Sequence, residues 1–465
     1  MNETVADAAG ESRVSAIESR VSATGSAAEV DSVSPLRKLA IRGSAWTLAG
    51  YGFNQGVRLA GNVVVAWLLF PEAFGIMGVT FSVLTGLTMF SDVGLGPNII
   101  QNKRGEDPHF LRTAWTVQVF RGLLIFALTI PLGWVIYFIN GQPIFIYVIP
   151  VAGLTSVLSG LNSVSIFTYN RRLQIKRITL LQVAANSLGM MGMILAVWLV
   201  PSVWSLLASG FIVAIVRLAG SYWYLPDVRM GFEWDTTAVR ELVRFGRWIF
   251  VSTALTFMVV RLDIFILSGL VGMGVLGLYN IAKSLALAAV EALGAQANTV
   301  LLPVYSRLSD KGQDHLRKQT LKLRMTLMAV FLPPLWALAV GGGLFFDMFY
   351  DDRYAAAGWM LKLMAAGTVA SVVCMTIEPV LLAKGNSFGY MLQLASRLGL
   401  QIVGMTIGAY YGGTLGFIIG LAVADLLNYP VLAALVRKYG VWLPALDGAA
   451  YAVSALVIGA GWLLL

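Results

Sequence analysis

Long apolar stretches fill most of this 465-residue chain. A helix that crosses a bilayer needs about 20 consecutive apolar residues, and stretches of that length follow one another from residue 43 to the end. They lie near 43–69, 74–97, 113–139, 143–167, 178–200, 202–224, 246–270, 275–302, 323–350, 357–383, 388–410, 413–436 and 447–465. The sequence therefore predicts an all-α polytopic membrane protein with twelve spans and an extra C-terminal transmembrane helix.

The composition excludes soluble and metal-dependent classes of protein. Hydrophobic residues make up 58% of the chain and charged residues 12%, whereas a soluble domain has about 25% charged residues. The chain has one cysteine, Cys374, and two histidines, His109 and His315, so neither a disulfide framework nor a metal site built from these residues is predicted. The phosphate-binding pattern GxxxxGK(S/T) is absent from the sequence. We therefore expect a protein that is not an enzyme and uses no cofactor or metal.

The basic residues predict how the chain is oriented in the membrane. If the spans alternate, the seven polar segments on one side hold 23 of the 33 lysine and arginine residues, and those on the other side hold only Arg353. Cytoplasmic loops collect Lys and Arg. A multi-pass protein of the cell inner membrane with a cytoplasmic N-terminus is therefore predicted. Because the charge is spread over short loops, we expect no nucleic-acid partner.

A repeat divides the chain into two halves. The sequence from Arg58 to Met77 resembles that from Arg261 to Tyr279, with Gly75 opposite Gly277. The copies are six spans apart, so both enter the membrane from the same side as parallel repeats, and two six-helix lobes are predicted. The predicted segments are a disordered cytoplasmic tail (1–38), the first lobe (39–225), a cytoplasmic connector with a short amphipathic helix (226–245), the second lobe (246–440) and the extra helix (441–465).

Three runs of sequence resemble one family of membrane transporters. They read LLFPEAFGIMGV from residue 68, FSDVGLGPNIIQ from residue 90 and VRFGRWIFVSTALTFMVVRLDIFILSGLVGMGVLGLYNIAKSL from residue 243. The chain in this respect is similar to the bacterial O-antigen and exopolysaccharide flippases of the multidrug/oligosaccharidyl-lipid/polysaccharide exporter superfamily. The resemblance implies a V-shaped transporter that moves an undecaprenyl-pyrophosphate-linked oligosaccharide from the inner to the outer leaflet. Membrane lipid and polysaccharide polymerase or assembly proteins are the further partners it suggests.

Charged residues inside the predicted spans are the candidates for the site, because a charge at mid-membrane needs a partner or a hydrated cavity. Arg58 lies near the middle of the first span. Its helical face also carries Tyr51, Asn54, Gln55 and Asn62. Such a polar stripe is expected to line a hydrated path, although hydrogen bonding to a second polar helix is the alternative.

The second lobe has a similar polar face on its eighth span, with Asn280, Lys283, Glu291 and Asn298. Lys283 is interpreted either as a ligand for pyrophosphate or as the partner of an acid on another helix. Arg261 and Asp263 are two residues apart and cannot share a helical face, and Arg261 is expected to face the cavity between the lobes.

Three acids are candidates for ion coupling. They are Glu291, Glu378 before Pro379, and Asp425, which follows the glycine pattern Gly412, Gly416 and Gly420. For Arg121, Arg217 and Arg397, which lie within two to three turns of the cytoplasmic edge, snorkelling explains the position nearly as well as a role in the cavity.

These residues give a substrate site under the flippase hypothesis. Arg58, Arg261 and Lys283 are expected to offset the charge of a pyrophosphate, and Asn54 and Gln55 to contact the sugar. A drug or small-cation exporter on the same scaffold needs acids at the cavity, whereas the spans hold more bases than acids. An integral membrane glycosyltransferase or polymerase needs larger outer loops than the sequence offers. A non-transporting scaffold for polysaccharide assembly stays open as an alternative.

Overall fold

The computed structural model describes residues 46–47, 49–92, 94–296, 301, 305 and 313–464. Within these ranges most of the chain is helical and no β-strand occurs, which confirms the all-α prediction. The predicted tail, residues 1–38, lies outside the described residues.

Among the described residues, the first half of the chain forms eight helices. They are α1 (49–68), α2 (Pro71–Phe90), α3 (Leu95–Gln101), α4 (Pro108–Asn140), α5 (Phe145–Gly160), α6 (Ser165–Arg171), α7 (Ile175–Leu199) and α8 (Val203–Trp223). Helices α2 and α4 begin with proline, whose fixed φ and missing N–H suit the first helical turn. Helices α5 and α6 together form one span that bends by 57°.

Eight more helices lie in the described part of the second half. They are α9 (Thr236–Leu270), α10 (Met273–Ala286), α11 (Ala288–Gln296), α12 (Gln313–Phe349), α13 (Ala356–Met375), α14 (Pro379–Ala383), α15 (Ser387–Val436) and α16 (Pro444–Leu464). Helices α10 and α11 form a second bent span, with an angle of 45°. Helix α15 is a hairpin of two helical arms that turns at Gly413, whose φ is +56°, a conformation that glycine adopts without steric cost.

The described helices cover all thirteen predicted spans, although several spans consist of two helices. Nine helices in the described ranges are long and apolar enough to cross a membrane, or eleven when each bent pair counts as one span. These figures treat the α15 hairpin as one helix and leave out α1. When α1 is added and the two arms of α15 are separated, a span falls on every predicted apolar stretch.

The two halves meet where α2 crosses α10, and glycines make the contact. A β-carbon on Gly75 would lie 2.0 Å from the carbonyl oxygen of Met273, and one on Gly277 would lie 1.8 Å from that of Pro71. The repeat pairs Gly75 with Gly277, and Pro71 and Met273 each stand four residues earlier. The contact is therefore reciprocal, as a two-fold relation between the copies requires. This geometry is consistent with the predicted pair of lobes.

A second glycine seam joins the two arms of α15. β-Carbons on Gly408 and Gly416 would lie 2.0 Å from each other's carbonyl oxygens, and one on Gly420 would lie 1.9 Å from the Gly404 carbonyl oxygen. Gly416 and Gly420 therefore confirm the predicted close packing. A β-carbon on Gly412, the first glycine of the pattern, would meet nothing within 4 Å, so this residue lies outside the seam.

The glycine seam leads to a stability prediction with an internal control. Gly416→Ala should destabilise the protein by about 1–3 kcal/mol, because the added methyl group forces the two arms apart. Gly412→Ala, in the same pattern, should be close to neutral. The buried thiol of Cys374 (3% exposed) can report unfolding through its reaction with a thiol-reactive dye during heating. Equal melting of the two variants would contradict the assigned seam.

The sequence predicts a separate short helix in the connector, and the structure differs from this prediction. Its helical part is continuous with the seventh span, since α9 runs unbroken from Thr236 to Leu270. Asp235 caps this helix and pairs with Arg104 at 3.1 Å. Hydrogen bonds from Thr237, joined by Arg104, lower the pKa of Asp235 to about 2, so its carboxylate stays charged at neutral pH. The connector is therefore fixed to the first lobe.

A buried ion pair ties the C-terminal helix to the second lobe. Arg324 on α12 is fully buried and binds Asp447 on α16. Asp447 also accepts a hydrogen bond of 2.8 Å from the Tyr429 hydroxyl, and Arg324 donates one of 3.0 Å to Thr376.

Candidate functional site

The polar face of α1 meets the second lobe at Glu291. The Arg58 guanidinium lies 3.2 Å from a Glu291 carboxylate oxygen, and the two side chains are 40% and 47% exposed. The Tyr51 hydroxyl lies 3.5 Å from the same carboxylate and 3.5 Å from the Ala288 carbonyl oxygen. Glu291 lies on α11, just after the bend of its span. The predicted stripe on α1 thus faces the other lobe, where a half-exposed ion pair links the two.

A cavity of about 310 Å³ opens beside this ion pair in the second lobe. Most of its lining is apolar, from helices α9, α10, α11, α13 and α15. Its charged lining residues are Asp263, Lys283, Glu291, Arg397 and Asp425. An apolar cavity with a few converging charged groups is the usual form of a ligand site.

Lys283 is paired with an acid inside this cavity. Its ammonium lies 2.6 Å from Asp263 and 3.0 Å from the Val260 carbonyl oxygen. The Tyr279 hydroxyl also donates a hydrogen bond to Asp263. Of the two interpretations of Lys283, the structure shows the pairing with an acid on another helix.

Arg397 is the residue whose role the sequence analysis missed. It does not snorkel: its guanidinium binds Asp425 through two hydrogen bonds of 3.0 and 3.1 Å. Ser371 donates to Asp425 at 2.8 Å, and the Gln401 amide donates at 3.2 Å. The carboxylate of Asp425 is therefore fully engaged.

The glycine seam contains a signal that predicts this pairing. Gly408 faces Gly416 and Gly404 faces Gly420, so residues equally distant from position 412 lie opposite each other. By that rule Asp425 faces position 399, two residues away from both Arg397 and Gln401. An antiparallel register read from the glycines thus places the acid between its two partners.

The other residues predicted for the site have no charged partner in contact with them among the described residues. Arg261 forms no ion pair within the described ranges, its Nε is buried without a hydrogen bond, and its charge acts on Lys283. The side-chain oxygen of Asn54 and the side-chain nitrogen of Gln55 are likewise buried without partners. Glu378 lies at the break between α13 and α14 and makes no ion pair with the described residues, with Arg397 as the charge that acts on it. Asn298 lies outside the described residues.

The lobes also contact each other at the end that the charge pattern predicts to be outer. The Trp67 indole donates to the Phe349 carbonyl oxygen at 2.8 Å, and the Tyr354 hydroxyl donates to that of Leu69 at 2.9 Å. Arg353 donates to the Trp67 carbonyl oxygen at 3.1 Å and lies over the Phe70 ring. Together with the Gly75 and Gly277 crossing, these bonds hold the lobes together at this end.

Comparison with known proteins places this arrangement in a family. Residues 64–358 match the family model described as polysaccharide biosynthesis protein, which is more than half of the chain. The chain belongs to this family. The matched residues include the glycine crossing, the outer contacts and both Lys283 and Glu291.

Relatives and a solved structure agree with the family. The chain is 23% identical over 434 residues to the lipopolysaccharide biosynthesis protein WzxC of Escherichia coli (strain K12), covering 88% of this chain and 85% of the relative. It is 26% identical over 361 residues to the succinoglycan biosynthesis transport protein ExoT of Rhizobium meliloti (strain 1021), covering 75% and 70%. The inward closed conformation of the lipid II flippase MurJ superposes with a TM-score of 0.68 at 12% identity, covering 91% and 93%. This structure shows that the fold is shared.

Proposed function

We propose that the chain moves a lipid-linked oligosaccharide across the bacterial inner membrane for polysaccharide biosynthesis, by alternating access between its two lobes. The observation that carries the proposal is the polar contact between the lobes, where Arg58 meets Glu291 in a half-exposed position, while direct hydrogen bonds join the lobes at the opposite end. The family, the names of the relatives and the fold shared with MurJ support it. The substrate's lipid tail stays in the bilayer, and the N-terminus lies in the cytoplasm.

The pyrophosphate of the substrate is proposed to bind between the lobes. The Arg58 side chain is 40% exposed and Arg261 forms no ion pair with the described residues, whereas Lys283 is held by Asp263. The two guanidinium groups therefore bind the anion directly, since arginine recognises phosphate through paired N–H groups. Lys283 contributes its charge from the cavity wall. Asn54 and Gln55, which are partly exposed on the same helix as Arg58, bind hydroxyl groups of the sugar.

The three coupling candidates differ in how far they are free to exchange an ion. Asp425 is held by Arg397, Ser371 and Gln401, and Glu291 is held by Arg58. Glu378 makes no ion pair with the described part of the chain. We therefore propose Glu378 as the first carboxylate to test for coupling. The pairing of every acid that lines the cavity with a base argues against the alternative of a small-cation exporter.

Flipping in proteoliposomes tests the function and the role of Arg58 together. A fluorescent lipid-linked oligosaccharide is placed in the outer leaflet, where an added glycosidase can reach its sugar. When the protein is present, flipping to the inner leaflet should protect the sugar from the glycosidase. Arg58→Ala should lower the rate of flipping at least about tenfold, because only one of the two proposed guanidinium groups is then left to bind the pyrophosphate. Arg58→Lys should retain part of the rate if charge alone suffices. Arg240→Ala, an exposed arginine of the connector, is the control. A wild-type protein that does not flip the lipid would refute the proposal.

A further inference from the structure

The three ion pairs at the cavity differ in how completely each charge is satisfied. Asp425 receives four hydrogen bonds, two of them from Arg397. Asp263 is buried; its Oδ2 receives bonds from Lys283 and Tyr279, whereas its Oδ1 has no hydrogen bond. Both pairs lie within one lobe and are closed to solvent on most sides. They are therefore part of the fixed cavity wall.

The pair between the lobes is the most exposed of the three. Glu291 receives one bond of 3.2 Å from Arg58 and a long contact of 3.5 Å from Tyr51. Of the five N–H donors of a guanidinium, Arg58 uses one on this acid, and its Nε has no partner at all. Both side chains are open to the space between the lobes. An anion that offers two oxygens can therefore satisfy Arg58 better than Glu291 does.

We infer that Glu291 is an internal competitor for the anionic head group. It occupies Arg58 until a pyrophosphate binds, and the incoming anion displaces it and breaks the contact between the lobes. This inference rests on the proposed function, and it adds a specificity-determining residue to the site. A neutral or cationic head group cannot displace a carboxylate from Arg58, so only an anionic lipid releases the lobes.

The same displacement couples binding to movement. Tyr51 and Arg58 lie on α1 in the first lobe, whereas Ala288 and Glu291 lie on α11 in the second. Their contacts are the ones that a bound anion replaces. Because coupling is reciprocal, a ligand that loosens the contact between the lobes binds more tightly when that contact is already absent.

Binding of geranylgeranyl pyrophosphate to the purified protein tests the competition. Glu291→Gln should bind this lipid about fivefold more tightly than the wild type, because an ion pair open to solvent competes only modestly. Arg58→Ala should lose most of the binding, and Arg58→Ala/Glu291→Gln should show no gain over Arg58→Ala. Comparison with geranylgeraniol, which lacks the pyrophosphate, shows how much the pyrophosphate contributes to binding. Comparison with inorganic pyrophosphate, which lacks the lipid, shows how much the lipid contributes.

The chain offers a matched control. Glu106 pairs with Arg172 at 3.0 Å, with side chains 38% and 50% exposed on the arginine and the glutamate, which is close to the exposure of the pair between the lobes. Glu106→Gln removes an ion pair of the same type away from the cavity and should leave the binding unchanged. Unchanged or weaker binding by Glu291→Gln would overturn the inference, and so would an equal gain by Glu106→Gln.

Cross-linking gives a readout that does not depend on flipping. A short bis-maleimide should join cysteines introduced as Tyr51→Cys and Ala288→Cys, and geranylgeranyl pyrophosphate should lower the yield while geranylgeraniol does not. With Glu291→Gln added, the yield should be low without any lipid. A yield that ignores the pyrophosphate lipid refutes the displacement. If binding and cross-linking behave as expected but no lipid is flipped, the proposed function fails and the competition by Glu291 stands.

Discussion

Replacing Arg324 with methionine should destabilise the protein by about 3–5 kcal/mol, because it leaves a buried carboxylate without its counter-charge. Asp447 is fully buried and binds Arg324. Its other partner is the hydroxyl of Tyr429, which cannot neutralise it. We expect little folded protein in the membrane, and early reaction of the Cys374 thiol on heating.

Two further variants separate the lost charge pair from lost packing. Arg324→Met/Asp447→Asn removes both charges and keeps the acceptor for Tyr429, and it should recover most of the stability, since replacing a whole buried pair is often close to neutral. Lys322→Met changes an exposed residue less than one turn away and should melt like the wild type. If the double variant is no better than Arg324→Met alone, the charge pair does not explain the loss.

Adding one methyl group at the crossing between the lobes should stop transport. In Gly277→Ala the new β-carbon would lie 1.8 Å from the Pro71 carbonyl oxygen, so α2 and α10 must separate. Overpacking of this kind costs about 1–3 kcal/mol. A penalty of that size shifts the equilibrium away from the closed form about 5- to 150-fold. Gly75→Ala, the other half of the reciprocal contact, should have the same effect.

Gly272 provides the control for this prediction. It stands five residues before Gly277, and a β-carbon there would meet nothing within 4 Å, so Gly272→Ala should transport normally. Closure can be followed with Leu69→Cys, since Leu69 is 3% exposed at the predicted outer end. A membrane-impermeant maleimide should label this cysteine slowly in the parent and quickly when Gly277→Ala is added. Equal labelling rates would show that the crossing does not control closure.

The positions of the spans follow from the sequence because hydropathy depends only on local composition. Lipid demands about 20 apolar residues in a row wherever a helix crosses, and the described helices follow the predicted stretches. The repeat also pairs Gly75 with Gly277, but their contact is a finding of the structure, because only equivalent positions close to a symmetry axis meet.

The charge partners cannot be predicted in the same way, because they depend on which helices become neighbours. Arg324 and Asp447 are 123 residues apart, and nothing in either segment names the other. The sequence marks Arg58 as a cation within a span, but its partner Glu291 comes from the opposite lobe. The pair of Arg397 with Asp425 is an exception that the sequence can predict, because the glycines of α15 fix which residues of its two arms lie opposite each other.

The glycine crossing has a mechanical consequence. Backbone touches backbone there, with no long side chains between the helices to absorb a small rotation. A helix of 20 residues is about 30 Å long. Tilting such a helix by about 10° about one of its ends moves its other end by about 5 Å. If the lobes move as proposed, the crossing is the point about which the helices tilt, so that their far ends move furthest while the crossing itself hardly shifts.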